Sequence, residues 1–189
     1  MSDTIDRDAL AVAMQRAGLL EDPVPAPAER WIATFLEAYG ERCATIDDAV
    51  REVALLRAEA TIVPALELER LRNRQAVFFL DAVSQYVDAQ PELRDLPLDA
   101  DIPAIAAEFG IGPADALAAV RMALTGRAEG PPLNVLFPLL GHDRVMIRVG
   151  AISSRLLHGR GLEPIPYGPD GEPFATIETQ KPAAPEAGS

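Results

Sequence analysis

The chain has 189 residues, of which 49% are hydrophobic, and a formal net charge of −12 from 29 acidic and 17 basic side chains. This acidity argues against non-specific binding of nucleic acid, and the single cysteine, Cys43, excludes an internal disulfide bond and a cysteine-based metal site. One cysteine is also typical of a reducing, cytoplasmic setting, and no apolar run approaches the roughly 20 residues of a membrane span, so we expect no membrane partner.

Alanine and leucine dominate the apolar residues and favour helix, and helical periodicity runs through most of the chain, which predicts an all-α protein. The first predicted helix covers 4–18. The second covers 27–39, where Trp31 and Phe35 share one stripe that we interpret as core packing, and Gly40 is its predicted stop.

The third helix is predicted over 46–57 from its N-terminal cap. Thr45 is followed three residues later by Asp48, the spacing of a capping box, in which each residue satisfies a backbone N–H of the other. Arg42 lies just before this cap. Its simplest interpretation is a surface arginine that forms an ion pair with Asp47 or Asp48.

The longest predicted helix covers 65–88, and its second half, 76–87, is apolar nearly all round. A helix that is apolar on every face is buried, so we expect this half at the centre of a helical bundle. Tyr86 is expected to be a core residue whose hydroxyl finds a hydrogen-bond partner.

After a proline-containing connector over 89–100, four shorter helices are predicted. Their ranges are 102–109 with Asp101 as its cap, 113–125 ended by Gly126, 133–140 ended by Gly141, and 144–157 with Asp143 as its cap. The segment 127–132, which we call the proline loop, joins the second of these helices to the third. Its two prolines and one glycine predict a rigid loop, because proline fixes the backbone.

Arginines distinguish this second half of the chain. Residues 110–160 hold six arginines and three acids, a local charge of +3 (six minus three) in an acidic protein, which marks where an anion would dock. On the last helix, Arg144, Arg148 and Arg155 share one face at helical spacing. This stripe is either a solvated face or a surface that contacts phosphate.

The composition changes from residue 159 onward. Residues 159–189 contain six of the 17 prolines and no helical period, so we expect a loosely ordered tail. We therefore divide the chain into an N-terminal helical subdomain over 1–90, a C-terminal helical subdomain over 91–158 and the tail.

Signatures of catalysis are absent from the sequence. Neither G-x-x-x-x-G-K-[ST] nor G-x-G-x-x-G occurs, and Ser153 and Ser154 have no G-x-S-x-G context. The two histidines, His142 and His158, are too few for a histidine-based metal site and are expected to act locally at helix ends. We therefore expect no enzyme activity, no metal and no cofactor.

The stretch 120–141 carries a family resemblance. It reads V-R-M-A-L-T-G at 120–126, P-P-L at 131–133 and L-L-G at 139–141. This resembles the pattern L-R-x-A-L-T-G, a few variable residues, P-x-L and then L-L-G in the C-terminal anticodon-binding domain of bacterial glutamyl-tRNA synthetases. The arginine-rich last helix is similar to the last helix of that family as well.

The first half of the chain is similar more loosely. The segment R-C-A-T-I at 42–46 resembles the R-x-x-T-L segment that precedes a helix in the family, and the resemblance extends over roughly 10–158. It implies an all-helical fold of two small subdomains joined near 89–100.

In that family the domain binds the anticodon of glutamate tRNA, and the resemblance implies a role for each matching residue. Arg42 matches the arginine that contacts the third anticodon base. Arg121, Gly130, Pro131 and Leu133 match the residues that hold the first two bases, although the family often has a hydroxyl residue at the position of Gly130. An unstacked base needs an apolar shelf, here Pro131 with Leu133, and polar groups for its edge, such as Arg121. The alternative for Arg121 is an ion pair or capping contact within the protein.

The family's catalytic part, with its signatures H-I-G-H and K-x-S-K-R, has no counterpart in this sequence. We therefore expect a free-standing, non-catalytic module that binds glutamate tRNA, as a regulator or with a catalytic synthetase subunit as partner. The alternative is a degenerate copy that serves as a protein-interaction scaffold, which the net charge of −12 and the tail favour. If RNA binds, its expected contacts Arg42, Arg121, Arg144 and Arg148 should converge on one face.

Overall fold

The computed structural model describes residues 5–59, 61, 63, 71, 74–90 and 92–158, and this part of the chain is helical without any strand. It contains eight α-helices, α1 Arg7–Arg16, α2 Ala26–Tyr39, α3 Ile46–Arg57, α4 Arg74–Asp88, α5 Leu98–Glu108, α6 Pro113–Thr125, α7 Leu133–Leu140 and α8 His142–His158. A short 3₁₀ helix, Gly40–Arg42, follows α2 directly. The predicted all-α fold is confirmed.

Local signals fix several helix boundaries as expected. The Thr45 hydroxyl accepts the N–H of Asp48 at 3.1 Å, and the Asp48 carboxylate accepts the N–H of Thr45 at 3.0 Å, which completes the capping box of α3. Gly126 ends α6 in the left-handed region with φ +76°, a conformation that side chains with a Cβ rarely adopt. The predicted ranges 46–57, 113–125 and 133–140 are therefore confirmed.

Two predicted caps are wrong, and one predicted stop differs in conformation. The helix α2 ends at Tyr39 with Gly40 as its C-cap, as predicted, but Gly40 has φ −55° and the chain continues into the 3₁₀ helix. Asp101 does not cap α5, which begins earlier, at Leu98. The Asp101 carboxylate accepts a hydrogen bond from the Tyr86 hydroxyl at 2.5 Å, so the predicted partner for Tyr86 is found. Asp143 is not a cap either, since α8 begins one residue before it, at His142.

The helix α4 packs mainly against α8. Phe79, Leu80 and Val83 are fully buried there, whereas Phe78 is 40% exposed, so the predicted interior half of this helix has one outward face. Most of the charged half predicted over 65–73 lies outside the described residues, as does the tail over 159–189. Within the described part, α4 thus packs with the C-terminal helices. The predicted boundary at residue 90 assigns α4 to the N-terminal subdomain. That boundary stays a prediction.

One hydrophobic cluster connects helices from both halves of the chain. It includes Leu10 and Phe35 from the first helices and Phe137 and Val149 from the last. The indole of Trp31 on α2 donates to the carbonyl of Leu139 on α7 at 2.8 Å and ties the halves together at the edge of this core. No single described helix is long and apolar enough to cross a membrane; α5 and α6 reach that length and composition only as a pair bent by 105°.

Arg148 is the most unusual member of the interior because it is a cation with only 1% of its surface exposed. Its guanidinium donates to four backbone carbonyls, those of Leu55 at 2.7 Å, Leu56 at 3.2 Å, Ala58 at 2.5 Å and Leu124 at 2.5 Å. Three of these carbonyls lie at the end of α3 and one at the end of α6. Helix C-terminal ends carry partial negative charge, so they compensate the buried cation.

Two further arginines act in the same way, and we call Arg57, Arg144 and Arg148 the arginine junction. Arg144 donates to the carbonyl of Arg57 at 3.1 Å and to that of Leu140, the last residue of α7, at 3.3 Å. Arg57 donates to the carbonyl of Leu19, which follows α1. None of the three forms an ion pair with a described acidic residue. The junction therefore joins the ends of α1, α3, α6 and α7 through main-chain acceptors.

Candidate nucleic-acid interface

The proline loop leaves the end of α6 under tight local control. The Thr125 hydroxyl donates to the carbonyl of Arg121 at 2.8 Å and accepts the N–H of Arg127 at 3.3 Å. At the other end, the carbonyl of Pro132 accepts the N–H groups of Val135 and Leu136, in the first turn of α7, at 3.1 and 3.0 Å. Both ends of the loop are thus fixed to helices, in agreement with the rigidity that its prolines predict.

Arg121 is half-buried beside this loop. Its Nε donates to the carbonyl of Pro131 at 3.1 Å, a contact within the protein that is neither an ion pair nor a helix cap. The two terminal amino groups of its guanidinium make no hydrogen bond with the described residues. One edge of the fork therefore holds the loop, and the other two donor groups stay available to a ligand.

Gly130 has space around it on the Arg121 side of the loop. A Cβ built on Gly130 would lie 4.0 Å from Cδ of Arg121, an ordinary van der Waals distance. Its φ lies outside the left-handed region, so the backbone does not demand glycine there. A serine or alanine would fit at this position.

The predicted apolar shelf is wrong for its two named side chains. Leu133, the first residue of α7, is fully buried in the core. Pro131 is buried too, and its carbonyl accepts a hydrogen bond from Arg121. The exposed apolar residue of the loop is Pro132 instead. The sequence pattern P-P-L does not indicate which proline faces solvent, because that depends on the loop conformation.

Arg42 is exposed at the end of the 3₁₀ helix. The ion pair predicted with Asp47 or Asp48 is not among the contacts of the described residues, since Asp48 pairs with Arg51 on its own helix. Contacts from Thr45 and Arg51 keep the pKa of the Asp48 carboxyl below its ordinary value. Arg42 therefore presents its guanidinium to solvent.

The Tyr39 hydroxyl relates Arg42 to the proline loop. Burial raises the pKa of Tyr39 to about 12, the negative charge of Glu52 raises it as well, and Arg127, Arg42 and Arg148 act in the opposite direction. Charges influence a pKa strongly only at short range. The charges of an exposed arginine before α3 and of an arginine in the proline loop thus both act on this hydroxyl at the end of α2.

Glu52 and Arg127 meet directly at this place. Nη1 of Arg127 lies 2.7 Å from Oε1 of Glu52, with side chains that are 48% and 20% exposed. Sequence reasoning missed Glu52 and Tyr39, and counted Arg127 only in the local charge. No local pattern could have found this contact, because its partners are 75 residues apart.

Of the three arginines predicted on one face of α8, Arg144 and Arg148 do not share an exposed face. Arg148 is inside the protein, so neither a solvated nor a phosphate-contacting role is possible for it in this conformation. Burial, together with the charge of Arg144, lowers the pKa of Arg148 to about 10. Arg144 is half-buried and holds the ends of α3 and α7. The side chain of Arg155 lies outside the described residues. The expected convergence on one face therefore no longer includes Arg148, and for Arg42 and Arg121 it stays a prediction.

Trp31 and His142 both contact residues of other helices. Trp31 stacks on Phe35 with ring centroids 5.6 Å apart and lies beneath Arg57 at 5.1 Å, in agreement with the packing role expected for it. His142 begins α8, and its Nε2 lies 3.2 Å from the carbonyl of Val87. The described residues contain no group of three or more His, Cys, Asp or Glu side chains that could hold a metal ion.

The chain matches one known domain family over most of its length. The profile of the family described as an anticodon binding domain matches residues 10–152, a range that contains Arg42, Arg121 and the proline loop. The chain is 29% identical over 153 residues to a glutamate–tRNA ligase of Roseiflexus sp. (strain RS-1), which covers 79% of this chain and 30% of that protein.

Two further glutamate–tRNA ligases are similar over the same part of the chain. The one from Chloroflexus aurantiacus is 25% identical over 148 residues, covering 76% of this chain and 29% of that protein. The one from Acidothermus cellulolyticus is 31% identical over 142 residues, covering 72% and 28%. The chain thus spans about 30% of the length of the curated relatives that it matches.

Proposed function

Because this chain belongs to the anticodon-binding domain family, we propose that it binds tRNA at the anticodon, and that the tRNA is one for glutamate. Arg42, Arg121 and the proline loop form the proposed binding surface. In this proposal the role of these 189 residues is non-catalytic, since they contain neither H-I-G-H nor K-x-S-K-R, and aminoacylation would require a catalytic ligase unit in addition.

The orientation of Arg121 is the observation that best supports this proposal. Its Nε is fixed on the carbonyl of Pro131, so the guanidinium plane is held while its terminal amino groups remain unbonded among the described residues. Arginine in such a pose is a planar, bidentate donor whose ordering cost is already met in the free protein. Splayed anticodon bases expose acceptors on their Watson–Crick edges that suit this donor.

Arg42 supplies the second cation of the proposed surface. It is exposed and has no ion-pair partner in the described part of the chain. Gly130 adds close backbone access, since glycine carries no side chain of its own and is half-buried beside Arg121. Leu133 and Arg148, being buried, support the loop from below in this proposal and do not touch the RNA; Arg144 does so from the arginine junction.

A titration of the protein with glutamate tRNA tests the proposal, with the same tRNA carrying an exchanged anticodon as the matched RNA control. We expect tighter binding of the native anticodon and an affinity that falls with salt. Arg121→Lys should weaken binding to the native anticodon by roughly 1–3 kcal/mol, because lysine keeps the charge but loses the fork. Arg30→Lys, at an exposed position of α2, is the protein control.

The outcomes separate base recognition from general attraction. Equal loss of affinity for both tRNAs in the Arg121→Lys protein would assign Arg121 to the phosphate backbone rather than to a base. Absence of binding at low salt would overturn the proposed function.

A protein-interaction scaffold without RNA binding is the second candidate. The burial of Leu133 and Arg148 removes two expected RNA contacts, and the net charge of −12 repels phosphate, so both observations favour it. A pull-down that recovers a protein partner, together with no tRNA binding in the titration, would select this candidate.

A further inference from the structure

One ion pair joins distant parts of this chain. Arg127 of the proline loop and Glu52 of α3 are 75 residues apart and lie 2.7 Å from each other, whereas the other ion pairs given by the described residues join partners at most three positions apart. The Glu52 side chain is only 20% exposed. A pair that is partly withdrawn from water is screened less by salt than an exposed one and costs more to break.

The loop partner of this pair is connected to Arg121 by a short path. The N–H of Arg127 donates to the Thr125 hydroxyl at 3.3 Å, and the same hydroxyl donates to the carbonyl of Arg121 at 2.8 Å. Arg121 in turn donates to the carbonyl of Pro131 at 3.1 Å. The position of Arg127 is therefore coupled to the position of the guanidinium proposed to read a base.

The helix partner is connected to the other arm of the surface. Glu52 lies on α3, and Arg42 lies three residues before Thr45, the capping residue of that helix. The ion pair with Glu52 therefore holds Arg127 and the proline loop against the helix that begins just after Arg42. The charges of Glu52, Arg127 and Arg42 also all act on the pKa of the Tyr39 hydroxyl, Glu52 raising it and the two arginines lowering it.

From this arrangement we infer that Glu52 and Arg127 are positioning residues, which set the spacing between Arg42 and Arg121 in the proposed anticodon site. The inference rests on the proposed function. It has a counterintuitive consequence, because it requires an acid beside the RNA surface to strengthen the binding of an anion.

Glu52→Gln tests this consequence by the sign of its effect. It should weaken tRNA binding by about three- to tenfold, which lies in the lower half of the coupling range for groups in one contact network. Glu41→Gln is the matched control, since Glu41 is exposed beside Arg42 and has no ion-pair partner in the described residues. If acids near the surface act only by repelling phosphate, both variants bind tRNA more tightly, and the inference is overturned.

A charge exchange separates positioning from direct contact. Arg127→Glu alone should weaken binding, and Glu52→Arg combined with Arg127→Glu should restore most of the affinity, because the pair is rebuilt with reversed polarity. If affinity is not restored, and Arg127→Gln lowers the slope of log K against log salt by about 0.7, then Arg127 is itself a phosphate contact and the inference fails.

Hydrogen exchange in the free protein provides a readout that needs no RNA. Glu52→Gln should speed exchange of the backbone amides at 127–130, and Glu41→Gln should leave it unchanged, because only the first releases the loop. Unchanged exchange in both variants would overturn the positioning role even if wild-type protein binds tRNA. A wild-type protein with a protected loop but no tRNA affinity would instead overturn the proposed function alone.

Discussion

Arg148 shows how a single residue can be misassigned by a correct pattern. The spacing of Arg144 and Arg148 does place them on one helix face, as predicted, but that face is covered by the ends of α3 and α6. Arginines on a solvated helix face and arginines on a buried helix face recur at the same spacing along the sequence. The sequence alone therefore cannot distinguish the two cases. The difference lies in the acceptors, which are backbone carbonyls and leave no trace in the side-chain pattern.

We predict that Arg148→Met lowers the free energy of unfolding by about 3–5 kcal/mol. The substitution leaves the carbonyls of Leu55, Leu56 and Ala58 without their donor, and that of Leu124 with only the Thr61 hydroxyl at 3.2 Å. Removal of the buried Nε of Arg148, which has no hydrogen-bond partner among the described residues, offsets only a small part of this loss. Urea unfolding measures the change. Arg30→Met, at an exposed position of α2, should alter stability by no more than about 0.5 kcal/mol.

A loss below about 1 kcal/mol for Arg148→Met would show that the carbonyls find water or other donors once the arginine is gone. The arginine junction would then be a consequence of helix packing and would not contribute to stability.

At the scale of elements, the helices were predictable where the signal was local. The capping box of Thr45 and Asp48 and the left-handed Gly126 each depend on neighbours within three or four positions, and both were found from the sequence. Asp101 was misassigned because a distant residue, Tyr86, takes its carboxylate. Gly40 follows the end of α2 as predicted but is not left-handed, because glycine permits that conformation without requiring it.

The two glycines after α2 and α6 make a matched pair for a second prediction. Gly126→Ala should destabilise the protein by about 1 kcal/mol, because alanine is strained at φ +76°. Gly40→Ala should stabilise it by about 0.4–1 kcal/mol, since Gly40 has φ −55° and a Cβ there meets nothing within 4 Å. Thermal or urea unfolding of both variants checks the opposite signs. Equal effects of the two substitutions would contradict the assignment of a left-handed stop to Gly126.

The candidate site was predictable to a similar extent. The resemblance predicts Arg42 and Arg121 as site residues. Arg42 is exposed, and Arg121 is half-buried beside the loop with its Nε bonded to the carbonyl of Pro131. It could not show that Leu133 turns inward, because helix α7 begins at that residue and the direction of its side chain depends on how α7 packs. No local pattern could indicate Glu52, because its ion-pair partner Arg127 is 75 residues away along the chain.

At the scale of the whole molecule, the shared core predicts cooperative unfolding. The predicted boundary near residue 90 would allow two transitions, but α4 packs mainly on α8, and Trp31 on α2 is bonded to α7. We therefore expect urea unfolding to give coincident curves by circular dichroism, which reports all helices, and by fluorescence of Trp31, the single tryptophan. An earlier fluorescence transition would instead support two independently folding subdomains.

The arginine junction also has an evolutionary consequence. Every residue type carries the same carbonyl, so no second substitution at the acceptor positions can compensate for the loss of Arg148. The Glu52–Arg127 pair is of the opposite kind, because a reversed pair satisfies the same geometry. A suppressor screen should therefore recover second-site revertants within the contact for Glu52 or Arg127 variants, and only true reversion at position 148. Among sequences of this family, pairwise covariation would reveal the first contact and remain blind to the second.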